Sequence, residues 1–193
     1  MIKVNEFTDV KYDVSDSIAT ITINRPDRYN ALRGRTVDEL LAAFKYAWVD
    51  NSVGAIILTG AGEKAFCSGG DQKERAATGG YGETETGMFE IESLHKLIRA
   101  VPKPVIAAVN GHAIGVGFTL TLHCDLRFMA RDAKYGIVQV RRGVMPDAMS
   151  HWTLPRLVGL ANAADLLLTG RTFTGDEARE LGVASRVLDN DDV

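Results

Sequence analysis

Much of what would mark a specialised protein is missing from this sequence. There are only two cysteines, Cys67 and Cys124, in apolar or glycine-rich surroundings without metal-ligand spacing. That excludes a disulfide framework and fits a reducing compartment. No apolar run approaches the 18 residues of a membrane span, and the start "MIKVNEFTDV" lacks a signal-peptide pattern, so a cytoplasmic protein with no membrane partner is expected. Charge of one sign is never massed. The net charge is −3 and lysines and arginines are scattered, which argues against a nucleic-acid partner. No phosphate-loop pattern G-x-x-x-x-G-K-[ST] occurs, and "GHAIGVG" does not fit the dinucleotide fingerprint. No internal repeat or low-complexity segment is visible.

What remains is an ordinary globular mixture, 46% hydrophobic and 24% charged over 193 residues, expected to form one domain. "VKYDVSDSIATITINRP" alternates and is rich in Val, Ile and Thr around a turn at Ser15, Asp16 and Ser17, which predicts a β-hairpin. From Arg35 to Asp50, Val37, Leu40, Leu41, Phe44, Ala47 and Trp48 fall on one helical face. Gly54 to Thr59 is a strand, and Lys64 to Tyr81 is loop-like. A second amphipathic helix carries Phe89, Leu94, Leu97, Ile98 and Val101 and stops at Pro102 and Pro104. "PVIAAVNG" is a buried strand, "HAIGVGFTLTLHC" a helix entered through glycines, and "CDLRFMA" and Ala133 to Val138 are further strands. From Asp147 the chain holds short helices and a last strand in "VASRVL". Strands alternating with helices imply an α/β domain with a largely parallel sheet.

Two glycine-bearing turns stand out. "KAFCSGGDQKE" follows one apolar strand and "HAIGVGF" follows another. The first N–H groups of a helix lack internal partners and sit at the positive end of its dipole. A strand, a glycine turn and a helix start therefore suit a developing negative charge. The arrangement occurs twice, at Gly70 and at Val116, and two convergent N–H groups would form an oxyanion hole. Either loop alone is also an ordinary strand-to-helix connection.

The blocks "ATITINRPDRYNAL", "VGAIILTGAGEKAFCSGGDQKE", "VPKPVIAAVNGHAIGVGFTLTLHCDLRFMARDAKYG" and "LPRLVGLANAADLLLTGRTFTGDEARELGVASRV" resemble the crotonase, or enoyl-CoA hydratase/isomerase, superfamily over nearly the whole chain. "FCSGGDQ" is similar to 1,4-dihydroxy-2-naphthoyl-CoA synthases and 2-ketocyclohexanecarboxyl-CoA hydrolases. The resemblance implies a ββα-spiral α/β fold, with a core over 8–145 and the start of a C-terminal helical region over 147–193. It also implies a homotrimer or a hexamer made of two trimers. The implied substrate is an acyl-CoA thioester whose carbonyl oxygen rests between the N–H groups of Gly70 and Val116; no metal or separate cofactor is implied. Asn30 to Leu32, including Ala31, and the segment with Lys64, Ala65 and Ser68 match stretches that hold the nucleotide of coenzyme A. Asp71 and Gln72 follow Gly70, and Asp71 is expected to brace that loop. Relatives continue through further helices after the "VASRV" strand, so the helical region is expected to be truncated or missing here.

Hydratases of this superfamily use two glutamates; Thr119 and Gln139 stand at those positions. Neither is a carboxylate acid or base, so isomerase, hydrolase or C–C lyase chemistry is expected over simple hydration. Gln139 either orients a water or carbonyl, or is a satisfied polar group. Asp147 in "GVMPDAMSHW" matches the aspartate of dienoyl-CoA isomerases and the nucleophile of 4-chlorobenzoyl-CoA dehalogenase. An Asp after Pro at a helix start is equally explained by capping. His112 and His95 are read as a loop-packing residue and a surface or core-edge residue. His151 and Trp152 are read as pocket or core positions, and Tyr81 as part of a covering loop. A non-catalytic acyl-CoA-binding scaffold, and a ring-forming or ring-opening CoA enzyme, are the alternative readings.

Overall fold

The structure, a computed structural model, describes residues 2–85 and 90–193. It begins with the expected hairpin: β1 (Val10–Ser15) pairs antiparallel with β2 (Ile18–Ile23), and Asp16 and Ser17 turn the chain with φ of 50° and 63°. Helix α1 (Gly34–Val49) follows, with Val37, Leu40, Phe44 and Ala47 fully buried. Leu41 is only partly buried and Trp48 is exposed, whereas Thr36, Asp38, Glu39, Ala42 and Ala43 are also buried, so the buried face is displaced from and broader than the one the sequence suggested. The chain then forms β3 (Ala55–Gly60), β4 (Ala65–Cys67), α2 (Gln72–Thr78), α3 (Ile91–Ala100), β5 (Val105–Val109), β6 (His112–Ile114), α4 (Val116–Thr121), β7 (Leu126–Ala130) and β8 (Tyr135–Gly136). It closes with α5 (Ser150–Thr169), broken at Gly159, then α6 (Gly175–Glu180) and β9 (Arg186–Leu188).

Six strands form the main sheet in the order β1-β2-β3-β5-β7-β9, parallel apart from the hairpin. Its register sets Ile21, Leu58 and Ala107 side by side, all fully buried. The next residue of that row is Arg127, also buried. Its guanidinium donates to the carbonyls of Val183, Thr121 and Cys124, so it ties the end of α4 to the chain before β9. Burying a guanidinium requires such partners for its donors.

The second sheet contains the short parallel strands β4, β6 and β8. The sequence reading missed two of them. Residues 64–81, expected to be loop-like, contain β4 and α2, and the expected helix from "HAIGVGF" begins only after β6. Three-residue strands are too short to display a period of two. Phe89, placed by sequence on the second helix, lies outside the described residues; Leu94 and Ile98 of α3 are buried as expected.

The small sheet fixes the loops that matter. Cys67 pairs with Ala113, and Ala113 with Tyr135. Gly70 and Val116 each lie three residues beyond these partners, and Gln139 lies four beyond, so all three leave the carboxyl edge of one parallel sheet. That edge is where parallel α/β sheets generally bind ligands. The start of α4 presses directly on β4. A Cβ on Gly117 would lie 2.2 Å from the Cys67 carbonyl oxygen and 2.8 Å from Cys67 Cβ. The obstacle is partly backbone and cannot swing aside. Gly117→Ala is expected to cost about 3 kcal/mol or more, at or above the usual range for overpacking. Urea denaturation checks this; a loss under about 1 kcal/mol would mean the two segments part easily.

Candidate active site

The Gly70 loop is held from both sides. Leu32 N–H donates to Gly69 O and Asp71 N–H donates to Leu32 O, both at 2.8 Å, as an isolated parallel bridge between Leu32 and Gly70. In such a bridge the flanking groups face the partner and the central N–H faces the other way. The N–H of Gly70 therefore points away from Leu32. Gly69 has φ of 101°, and a Cβ there would lie 2.9 Å from Ile114 O and 4.0 Å from Val116 N. The two glycine loops are thus in van der Waals contact. Val116 opens α4, where its N–H has no acceptor within the helix.

Behind the loop lies a buried charge network that the sequence reading did not find. Asp71 accepts from the N–H groups of Lys73 and Glu74, capping α2, and from Arg25 Nη2 at 2.9 Å. Arg25 also donates to Ala31 O, and Arg33 binds Asp9 through two bonds of 2.8 Å. Burial would raise the Asp71 carboxyl, but the Glu74 N–H and Arg25 outweigh it and hold it below the ordinary value. These bonds tie Asp71 to the start of α2 and to Arg25, and Gln72 is exposed with its amide on Gly70 O at 3.1 Å.

The nucleotide-matching residues also come together. Asn30, fully buried, donates to Ala61 O and Ala65 O and accepts from Arg25 N–H. Ser68 N–H donates to Tyr29 O. A surface cavity of about 270 Å³ lies between Tyr29 and Asn30 on one side and Gly62, Lys64 and Ala65 on the other. A larger hollow of about 680 Å³, lined by Arg33, Arg35, Asp38, Glu74, Glu83 and Glu85 among others, includes none of the predicted site residues.

Asp147 reaches residues of two other segments. Its carboxylate does not cap α5: the N-cap is Met149, with no side-chain cap bond. Instead Asp147 Oδ1 accepts from Thr119 Oγ1 at 2.8 Å and from Gln139 Nε2 at 2.9 Å. Thr119 and Gln139 therefore point hydrogen-bond donors at one acid. Only the N–H₂ end of the Gln139 amide can face a carboxylate, which fixes its orientation. Thr119 is fully buried and Asp147 half-buried. Among the described residues no hydrogen bond to Asp147 Oδ2 accompanies those to Oδ1.

Tyr81 is brought to the site as well. A Cβ on Gly70 would lie 2.7 Å from Tyr81 Cε1 and 3.1 Å from its hydroxyl, so the ring lies over Gly70. His112 accepts from Lys134 N–H, while His151 and Trp152 are exposed rather than in the core. Cys67 and Cys124 are buried and unbridged, and burial pushes both thiols up to about 12, which rules them out as nucleophiles near neutral pH.

His95 corrects the sequence reading. It is 1% exposed and its ring packs at a tilt of 40° against that of the buried His123, with centroids 4.8 Å apart. Four residues after Ile91 and three before Ile98, it shares their helical face, a signal the sequence did carry.

The chain matches the sequence model of the enoyl-CoA hydratase/isomerase family over residues 13–193, and it belongs to that family. It is 42% identical to a protein described as a probable enoyl-CoA hydratase/isomerase from Mycobacterium abscessus, with a TM-score of 0.86 over 95% of this chain and 70% of the other. It is 34% identical to an enoyl-CoA hydratase from Bacillus anthracis, with a TM-score of 0.87 over 95% and 71%. An enoyl-CoA hydratase/isomerase from Pseudoalteromonas atlantica is 32% identical, with a TM-score of 0.86 over 95% and 71%. The ββα-spiral α/β fold expected from the sequence is thus the fold observed.

Burial, then the neighbouring His123, lowers the pKa of His95 from 6.5 to about 3. The unfolded chain binds this proton below pH 6.5 and the folded chain does not, so stability is full above pH 6.5 and is lost as pH falls toward 3. The slope for one such proton is about 1.4 kcal/mol per pH unit. His95→Leu is therefore expected to lose about 2 kcal/mol less than the unmodified protein between pH 6.5 and 5. Chemical denaturation at the two pH values checks this; parallel losses would mean His95 is protonated in the fold.

Proposed function

We propose that this protein is an acyl-CoA-processing enzyme that stabilises a thioester enolate at Gly70 and Val116 and moves a proton with Asp147. The observation that carries this reading is the pair of donors, Thr119 and Gln139, that fix Oδ1 of Asp147 beside the start of α4. With Oδ1 held, Oδ2 is the reacting oxygen. It takes a proton from a carbon of the acyl chain, and the electron pair of that C–H bond moves into the conjugated thioester. The carbonyl oxygen becomes an enolate oxygen facing the two main-chain N–H groups. Return of the same proton to a different carbon shifts the double bond and restores the carboxylate. One acid suffices for this shuttle. Hydration by the two-glutamate route would need a second carboxylate in place of Thr119 or Gln139, so isomerase-type chemistry is favoured over it.

The cavity beside Asn30, Lys64 and Ala65 would receive the nucleotide end of coenzyme A, mainly through backbone groups, and Tyr81 would move off Gly70 when the thioester enters. No separate cofactor takes part. Exposed apolar side chains such as Val144, Met145 and Leu160 suit burial between copies in a trimer or a hexamer. Ring-forming or hydrolytic CoA chemistry, with Asp147 attacking or positioning rather than shuttling, is the second reading; it rests on the "FCSGGDQ" resemblance.

Turnover of a panel of enoyl-, β-keto- and aryl-CoA thioesters tests the proposal. Asp147→Asn is expected to lower kcat on the preferred substrate by about 100-fold or more with KM little changed, within the range for general acid–base residues. Unchanged turnover would remove Asp147 from the mechanism. Val116→Pro deletes one N–H at a helix position where proline is tolerated. It is expected to lower kcat by about 100- to 1,000-fold, the cost of losing one oxyanion donor. Binding without turnover of any thioester would instead support a scaffold.

A further inference from the structure

We infer that His123 is a positioning residue that holds Asp147 in its reactive orientation. This rests on the reading of Asp147 as the proton-transferring acid. His123 lies just beyond α4 and is 3% exposed. Its Nε2 is 2.7 Å from the carbonyl oxygen of Ala148, the residue after Asp147. A carbonyl can only accept, so Nε2 carries the proton and donates. Burial and the charge of Arg99 keep the ring neutral against the opposing pull of that bond, so the tautomer is the Nε2–H form, with Nδ1 buried and unpartnered.

The carbonyl it holds belongs to an unusual turn. Ala148 and Met149 both have left-handed backbones, with φ of 53° and 52°, and neither is glycine. Consecutive residues of this kind persist only where surrounding contacts dictate them. The contacts here are few and identifiable. Ser150 donates to Asp147 O through its N–H at 2.9 Å and through its hydroxyl at 2.6 Å, and Thr153 donates to Met149 O. His123 is the partner of the middle carbonyl. The turn is what reverses the chain so that the Asp147 side chain meets Thr119 and Gln139 rather than capping α5. Thr119 and His123 sit one turn apart, on α4 and just past its end. That short stretch therefore grips Asp147 twice, once at the carboxylate and once at the main chain behind it.

The ring of His95 packs at a tilt against that of His123 and supplies one wall of its surroundings. Both nitrogens of His95 are buried without partners, so it contributes shape rather than a hydrogen bond.

The test uses His123→Leu, which removes the donor, and His123→Gln, whose Nε2 can replace it, each alone and combined with Asp147→Asn. Steady-state kinetics are measured on the thioester that the unmodified enzyme turns over best. His123→Leu is expected to lower kcat about 10- to 50-fold with KM changed less than about 3-fold, and His123→Gln to recover most of that loss. In the Asp147→Asn background the Leu substitution is expected to have no further effect, because its action passes through the acid. An equal loss in both backgrounds, failure of Gln to rescue, or a loss confined to KM would overturn the inference. If His123→Leu does not fold, His123→Gln alone carries the test, and a kcat for it about 10-fold or more below that of the unmodified enzyme would overturn the inference. If Asp147→Asn alone leaves turnover unchanged, it is the reading of Asp147 that fails, a result distinct from the others.

Discussion

The site depends on one close backbone approach, that of Gly117 against Cys67. With no side chain at position 117, the start of α4 rests on β4 at a distance that any Cβ would forbid. The register of the small sheet does the rest. It aligns Cys67, Ala113 and Tyr135, so the segments leaving β4, β6 and β8 emerge together at one edge. Gly70, Val116 and Gln139 are neighbours because of this geometry, whatever chemistry they serve. The Arg25 network then fixes the Gly70 loop from behind, and Arg127 fixes the far end of α4.

Within that frame the polar residues are economical. A hydroxyl and an amide, those of Thr119 and Gln139, flank the single carboxylate of Asp147. Two unpaired acids so close would repel each other, and a lone buried acid without donors would be costly. Thr119 and Gln139 remove both problems by donating to the same oxygen. Thr119, Gln139 and Asp147 thus make sense as one unit, and the proposed chemistry follows from what that unit can do: accept a proton on the remaining oxygen and give it back.

The sequence made the periodic parts legible. The hairpin and α1 declare themselves through alternation and helical spacing, and the long buried strands through unbroken apolar runs. Strands β4 and β6 did not, since three residues carry no period. The glycine loops were recognisable as a pair because each follows a strand and opens a helix. The nature of Asp147 was not. Its partners lie 28 and 8 positions away, and only the fold shows that its side chain turns from α5 toward α4. His95 was misjudged through its polarity, although its spacing from Ile91 and Ile98 put it on the buried face. The Arg25, Asp9 and Asn30 interactions are long-range pairings among common surface residue types, and no local pattern announces them.

The central claim is that two main-chain N–H groups polarise a bound thioester carbonyl. The most direct measurement is the infrared carbonyl stretch of an acyl-CoA bearing a ¹³C-labelled thioester, recorded free and bound to the enzyme. Two donors drawing charge onto the oxygen predict a bound band at clearly lower frequency than the free band. A bound band at the free frequency, with saturation of the site shown independently, would contradict the account.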